Sequence, residues 1–290
     1  MMTTINEITC NEKPQWCVGC GDFSVLMGIK TAIAELGIAP HETVLVSGIG
    51  CCSKSPHYVN TYGFEALHGR SLPVASAIKL ANHKLNVIAI SGDGDGYGIG
   101  VQHFIHIGRR NFDLTYIVCD NQLYGLTTGQ ASPTTIKGTK SKSTPHGVIE
   151  TQFNPIASAI VNGATYVARA YAGDLKHMTE IIKGAITHRG FALVDVFQPC
   201  VTFNKLNTYQ WFQERVYKLQ DAGHNTGDKM AALARAWEET NSEYKKVPIG
   251  VFYKENRPTY EDELPQLKEK PLVWHDISNV DISKAYAEFE

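Results

Sequence analysis

Residues Ile88-Ala-Ile-Ser-Gly92-Asp93-Gly94-Asp95-Gly96 run an apolar segment directly into a glycine turn that carries two carboxylates. The apolar part, Val87 to Ile90, lacks polar-out alternation, which predicts a strand buried on both faces. Residues 98–108 then show helical spacing. Glycines let backbone N–H groups approach an anion closely, and a following helix offers its positive N-terminal end. A carboxylate beside such a turn would repel a bare phosphate. A divalent cation bridging the two removes the conflict, because Mg²⁺ takes one or two carboxylates together with phosphate oxygens. The plainer alternative is a tight turn with a helix-capping aspartate.

The pattern repeats downstream. An apolar strand is predicted over Leu114 to Cys119, and it ends in Asp120-Asn-Gln-Leu-Tyr-Gly125, with Asn121 placed 28 residues after Asp93. If the two strand ends are neighbours, an Asn amide oxygen and a backbone carbonyl could complete the protein ligands of one metal. G-D-G followed downstream by an N-N or D-N pair resembles the thiamine diphosphate signature. The rival nucleotide motifs G-x4-G-K-S/T and G-x-G-x-x-G do not occur here.

Helices are predicted over Phe23 to Leu36, Leu72 to Leu80 and Leu175 to His188, with another starting near Pro155. Strands are predicted over Thr43 to Val46, Thr165 to Ala170 and Phe191 to Phe197. The alternation predicts an α/β fold, a parallel sheet covered by helices on both faces, with ligands beyond the carboxyl ends of the strands. Residues 1–200 form one expected domain. Residues 201–290 read as a helical extension, with helices over Tyr209 to Leu219 and Lys229 to Glu239, and a docking arm from Lys254 onward. The unpatterned stretch 126–150 is too long for a simple connection, which suggests a functional loop.

Composition narrows the class. Of 290 residues, 43% are apolar and 19% charged, and 27 basic residues face 29 acidic ones for a net charge of -2. Without a basic excess, nucleic acid is not an expected partner. No apolar run approaches the ~18 residues of a membrane span, and the N-terminus lacks a secretory core, so the expected compartment is the cytoplasm.

Seven cysteines remain: Cys10, Cys17, Cys20, Cys51, Cys52, Cys119 and Cys200. An odd number in such a chain argues against a disulfide framework. Trp16-Cys17-Val-Gly-Cys20-Gly-Asp22 supplies a C-x2-C pair, Cys51 follows the Gly48-Ile-Gly50 turn, and Cys200 follows a strand. Four thiolates of this kind can hold a tetrahedral zinc or a 4Fe–4S cluster. Zinc ribbons usually carry a second close pair, and the adjacent Cys51-Cys52 fits that role poorly. Cys119 reads as a buried small hydrophobe and Cys10 receives no role.

Taken together, these landmarks resemble the β subunit of 2-oxoacid:ferredoxin oxidoreductases, with the 2-oxoglutarate type nearest. The likeness runs from about Trp16 to Cys200. Besides the motifs above it includes Gly48-Ile-Gly-Cys-Cys-Ser-Lys-Ser-Pro-His-Tyr58, His68-Gly-Arg-Ser-Leu-Pro73 and Leu126-Thr-Thr-Gly-Gln-Ala-Ser-Pro-Thr134. The resemblance implies that Cys17, Cys20, Cys51 and Cys200 bind a 4Fe–4S cluster, favouring Cys51 over Cys52 for the third position. It implies that Asp93, Asn121 and the Leu123 carbonyl hold Mg²⁺. Ile49, Gly50, Cys51, Cys52, His68, Gly94, Asp95, Gly125 and Leu126 would contact thiamine diphosphate. Lys54 and His57 are candidates to face the thiazolium or substrate; His103 and His106 read as one helix face. Thr128 stands where family members often carry Gly or Lys, in a stretch associated with substrate choice.

The implied reaction is oxidative decarboxylation of a 2-oxoacid to acyl-CoA and CO2, with coenzyme A as co-substrate and ferredoxin as electron acceptor. No motif here offers the glutamate that activates the coenzyme, so it is expected from an α subunit in a doubled heterodimer. The alternatives are pyruvate or a broad range of 2-oxoacids, a cluster-free thiamine diphosphate decarboxylase or dehydrogenase component, and a zinc-bound scaffold.

Overall fold

The computed structural model describes residues 3–289. In chain order the elements begin α1 (Ile5–Ile8), α2 (Asp22–Glu35), β1 (Thr43–Ser47), β2 (Tyr62–Glu65), α3 (Ser71–Ala81), β3 (Asn86–Gly92), α4 (Val101–Arg110) and β4 (Leu114–Asp120). They continue α5 (Pro155–Val161), β5 (Tyr166–Tyr171), α6 (Leu175–Ile186), β6 (Phe191–Phe197), α7 (Tyr209–Gln213), β7 (Val216–Lys218), α8 (Lys229–Ala236), α9 (Glu238–Asn241), β8 (Val247–Lys254) and α10 (Ser283–Ala287).

One eight-stranded sheet has the order β2-β1-β3-β4-β6-β5-β8-β7. Every pair is parallel except β5 with β8. Alternate residues of each strand point to opposite faces, and each face has its own core. Val87, Ala89, Tyr116 and Val118 pack with Leu72 of α3, Phe104 of α4 and Ile156 of α5. Ile88, Ile90, Ile117 and Cys119 pack with Ile29 of α2 and Met178 of α6. Both faces are thus dry, which explains why the central strands read as continuous apolar runs. Side chains mark the helix starts: Asn154 accepts from the Ala157 N–H with Pro155 at the first helical position, and Asp174 caps α6 through the His177 N–H at 3.1 Å.

The region after Cys200 departs from the expected helical extension. Residues 209–219 split into α7 and β7, and Val247-Pro-Ile-Gly-Val-Phe-Tyr253 forms β8, antiparallel to β5. Periodicity missed β8 because a short apolar run has no helical or alternating signature, and only the open edge of β5 decides its state. β2 was missed for the opposite reason: it is an edge strand whose four residues are all exposed. The helix expected from Gly98 begins at Val101, because Gly94–Ile99 makes a wide π-type turn first.

A buried ion network joins the late segment to the sheet. Arg169 on β5 meets Asp195 on β6 at 2.8 Å and Glu239 on α9 at 2.7 Å, and the Tyr97 hydroxyl donates to Asp195 at 2.9 Å. Removing Arg169 alone would strand two buried carboxylates, a loss of about 3–5 kcal/mol. The arm beyond Lys254 begins by docking on its own domain: Tyr260 stacks on Phe112 at 4.5 Å and Leu267 is buried. Farther on, Ile277, Val280, Ile282 and Tyr286 are exposed.

His188, buried and bonded through Nε2 to the Thr165 hydroxyl at 2.8 Å, has its pKa lowered to about 4 by burial and by Lys254. A depressed histidine contributes stability that is complete above its unfolded pKa of about 6.5 and is lost as pH falls towards the folded value. Urea midpoints should therefore fall from pH 6.5 to pH 4, and His188→Gln should flatten that slope; an unchanged slope would refute the assignment.

Candidate cofactor and metal site

β1, β3, β4 and β6 are consecutive neighbours in the sheet and run parallel. Their carboxyl ends deliver, side by side, the Gly48–Cys52 turn, the Gly92–Gly96 turn, the Asp120–Gly125 turn and Gln198–Cys200. Ile49, Gly50, Cys51, Cys52, His68, Asp93, Gly94, Asp95, Asn121, Leu123, Gly125 and Leu126 all border one cavity of about 90 Å³.

Asp95 ties the turns together. Its Oδ1 accepts from the Ile49 N–H at 3.2 Å and the Gly69 N–H at 2.7 Å, and it faces His68 Nδ1 at 2.5 Å. Its Oδ2 is buried without a partner. Gly48 must lack a side chain, because a Cβ there would collide with the Asp95 carboxylate. Gly94 is constrained likewise: its Cβ would enter the Tyr124 ring, whose hydroxyl donates to the Gly94 carbonyl at 3.0 Å.

Asp93 is buried, and its Oδ2 accepts from the hydroxyls of Ser132 at 2.5 Å and Thr134 at 2.6 Å. Thr134 also bonds Asp120 at 2.8 Å. Burial pushes the Asp93 pKa up to about 6, against the pull of those hydroxyls. A cation beside it would offset that cost. The Asn121 Oδ1 accepts from the Leu123 N–H at 3.1 Å, and Asn204 donates to the Asn121 carbonyl at 3.0 Å. Ser132 and Thr134 were not singled out as site residues from sequence; the available signal was a Ser-Pro-Thr run inside an overlong loop.

Cys17, Cys20, Cys51 and Cys200 line a second cavity of about 210 Å³, with Lys54 in its wall. All seven cysteines are free. The Trp16 indole donates to the Cys51 carbonyl at 2.7 Å, and the Cys20 thiol donates to Asp22 at 3.4 Å. Burial raises the Cys51 pKa to about 12 and pushes Cys20 up as well. These thiols stay protonated unless a cation takes the place of the proton. Cys51, Asn121, Gly125 and Leu126 border both cavities, so the two are separated by a single layer of residues.

Two expected residues lie apart. His57 is exposed, pairs with Glu65 at 2.8 Å and borders neither cavity. Thr128 is exposed with φ +79° and also borders neither, whereas its neighbour Thr127 reaches the first. His103 bonds Arg70 at 2.6 Å. Sequence reading also missed a buried cluster: a carboxylate oxygen of Asp22 and the sulfurs of Cys52 and Cys119 lie within 4.8 Å of one another. Burial raises the Asp22 pKa to about 7.

This fold and its glycine-lined cavity define a thiamine pyrophosphate-binding domain. Residues 48–196 match the thiamine pyrophosphate enzyme C-terminal TPP-binding domain, and residues 200–269 match the C-terminal region of pyruvate ferredoxin oxidoreductase beta subunits. The chain is 47% identical over 262 residues to the 2-oxoacid:ferredoxin oxidoreductase 1 subunit beta of Aeropyrum pernix, covering 87% of this chain and 81% of that one. It is 37% identical to the 2-oxoglutarate synthase subunit KorB of Methanocaldococcus jannaschii, over 88% and 93% of the two chains. A solved 2-oxoglutarate:ferredoxin oxidoreductase from Magnetococcus marinus, with 2-oxoglutarate, coenzyme A and succinyl-CoA bound, superposes with a TM-score of 0.90 at 38% identity. That match covers 99% of this chain and 96% of the other. The chain belongs to the beta subunits of the 2-oxoacid:ferredoxin oxidoreductases.

Gly94→Ala tests the cofactor cavity. The added methyl overpacks against Tyr124, costing about 1–3 kcal/mol, and should abolish thiamine diphosphate binding in calorimetry while the circular dichroism spectrum is retained. Undiminished binding would show that the turn does not face the coenzyme.

Proposed function

We propose that this subunit binds Mg²⁺–thiamine diphosphate in the first cavity and a 4Fe–4S cluster in the second, and oxidises 2-oxoglutarate to an acyl-CoA with ferredoxin as acceptor. The observation that carries the reading is the shared wall, Cys51, Asn121, Gly125 and Leu126, between the glycine turn and the four thiols. The donor sets fit their groups. Asp93, the Asn121 amide oxygen and the Leu123 carbonyl are hard oxygen donors of the kind Mg²⁺ takes, and four cysteine thiols, of which burial pushes the Cys20 and Cys51 pKa values up, suit an iron–sulfur centre.

Thiamine diphosphate supplies the electron sink for decarboxylation, and an iron–sulfur cluster accepts electrons singly. The protein's own residues position and enclose. Ser132 and Thr134 hold the Asp93 carboxylate, and the closely packed turns exclude water. Asp95 locks the Gly48–Cys52 turn to His68. Cys17 and Val18 are exposed, which supports that face as the side from which electrons would leave for ferredoxin.

The coenzyme-activating carboxylate has no counterpart here: among the described residues the cavity wall contains aspartates but no glutamate. As a beta subunit the chain works with a partner, and we assign the missing glutamate to that α subunit. The names of the relatives support 2-oxoglutarate as substrate. Among the described residues no helix is long and apolar enough to cross a membrane, and with all seven thiols free this supports a cytoplasmic enzyme.

Anaerobically purified complex should contain about four iron and four sulfide per β chain. Cys200→Ser should lower both while leaving thiamine diphosphate binding intact. An active, iron-free complex would establish the cluster-free alternative instead. Separately, β alone should show no turnover, and mixing with α should restore activity with kcat/KM higher for 2-oxoglutarate than for pyruvate. Full-rate decarboxylation by isolated β would overturn the shared site.

A further inference from the structure

The two oxygens of the buried Asp93 carboxylate are held differently. Oδ2 receives the Ser132 hydroxyl at 2.5 Å and the Thr134 hydroxyl at 2.6 Å, and neither hydroxyl bonds Oδ1. A carboxylate oxygen offers about two lone-pair sites, so Oδ2 is filled. Thr134 Oγ1 also lies 2.8 Å from Asp120 Oδ1, and its single hydrogen serves only one carboxylate at a time. In either orientation its oxygen stands against Oδ2 and keeps a cation away from it. The oxygen left for the cavity is Oδ1.

The two hydroxyls are themselves pinned. The Ser132 N–H donates to Thr135 Oγ1 at 2.8 Å, and the Thr135 hydroxyl donates to the Gln122 carbonyl at 2.6 Å. The Thr134 carbonyl accepts from Gln152 Nε2 at 2.5 Å, and the Pro133 carbonyl accepts from the Phe153 N–H at 2.8 Å. Ser132, Thr134 and Thr135 are all buried. The long loop is thus stitched to the turn that carries Asn121 and Leu123, and Asp93 keeps one orientation relative to those two donors.

This bears on the choice of ion. Mg²⁺ demands a near-ideal octahedron with bonds of roughly 2.0–2.1 Å. The two oxygens of one carboxylate are too close together to fill two corners of it. Ca²⁺ takes more ligands in a looser geometry, at roughly 2.3–2.6 Å, and accepts both oxygens of one carboxylate. A carboxylate with one oxygen already filled suits the smaller ion.

We propose that Ser132 and Thr134 are positioning residues that set the ion selectivity of the coenzyme cavity. By filling Asp93 Oδ2 they restrict that carboxylate to a single metal bond and shift selectivity from Ca²⁺ towards Mg²⁺. The inference rests on the reading that Asp93, Asn121 and Leu123 hold a divalent ion on thiamine diphosphate, and it gives the long loop a part in that site.

The αβ complex, freed of divalent ions and supplied with thiamine diphosphate, is titrated calorimetrically with Mg²⁺ and separately with Ca²⁺. Thr134→Val removes one hydroxyl at nearly constant shape. The ratio of the Ca²⁺ to the Mg²⁺ dissociation constant should fall about tenfold, the scale of one hydrogen bond to a charged group. Thr134→Ser keeps the hydroxyl and should keep the parent ratio. A merely structural role would lower the melting temperature and weaken both ions alike, leaving the ratio where it was. If Thr134→Val fails to fold, Ser132→Ala is read by the same ratio. An unchanged ratio in a folded variant overturns the selectivity role and leaves coenzyme binding standing. A parent complex that binds neither ion with thiamine diphosphate present overturns the reading of the cavity itself.

Discussion

Because β1, β3, β4 and β6 lie side by side and run in one direction, their outgoing turns leave the sheet along a single edge. The backbone hydrogen bonds that hold the register also fix how far Cys51, Asp93, Asn121 and Cys200 stand from one another. Loops alone could not hold such positions, since each would fluctuate independently. The dry helix layers on both faces stiffen the sheet, and the open carboxyl edge is where polar groups remain.

At that edge the protein concentrates charge that it can scarcely neutralise by itself. Asp93, Asp95, Asp120 and Asp22 are buried, and burial lifts the pKa values of Asp93, Asp120 and Asp22. Hydroxyls from Ser132 and Thr134, together with His68, offset part of the cost. Arg169 meets Asp195 one strand farther in. The remaining deficit suits cations, which is what the proposed divalent ion and iron centre would supply. Here stability is given up in exchange for affinity, as expected where a site is built to be completed by another group.

The segment after Cys200 belongs to the same mechanical unit. β8 caps the β5 edge, and Glu239 reaches Arg169 from α9. Phe203 comes from the same stretch and walls the cysteine cavity, so the region contributes to the site as well as to the sheet. Its exposed apolar end, beyond Trp274, contrasts with the packed start of the arm.

Much of this was legible in the residues. Continuous apolar strands alternating with helices determined a parallel α/β sheet, because only strands covered on both faces can dispense with polar positions. The glycine-aspartate turn, the Asp-Asn turn and the spread cysteines stood out as candidates, and the structure brings them to two adjoining cavities. Tertiary structure alone decided what lies next to what. Nothing in the sequence placed Ser132 and Thr134 on Asp93, or Cys119 beside Asp22, or aimed His57 at Glu65 instead of the cavities. Nor did it show that residues 247–254 would become a strand. Each outcome depends on partners tens of residues away. Local patterns encode what a segment can do, while the free edge or empty volume it meets determines what it does.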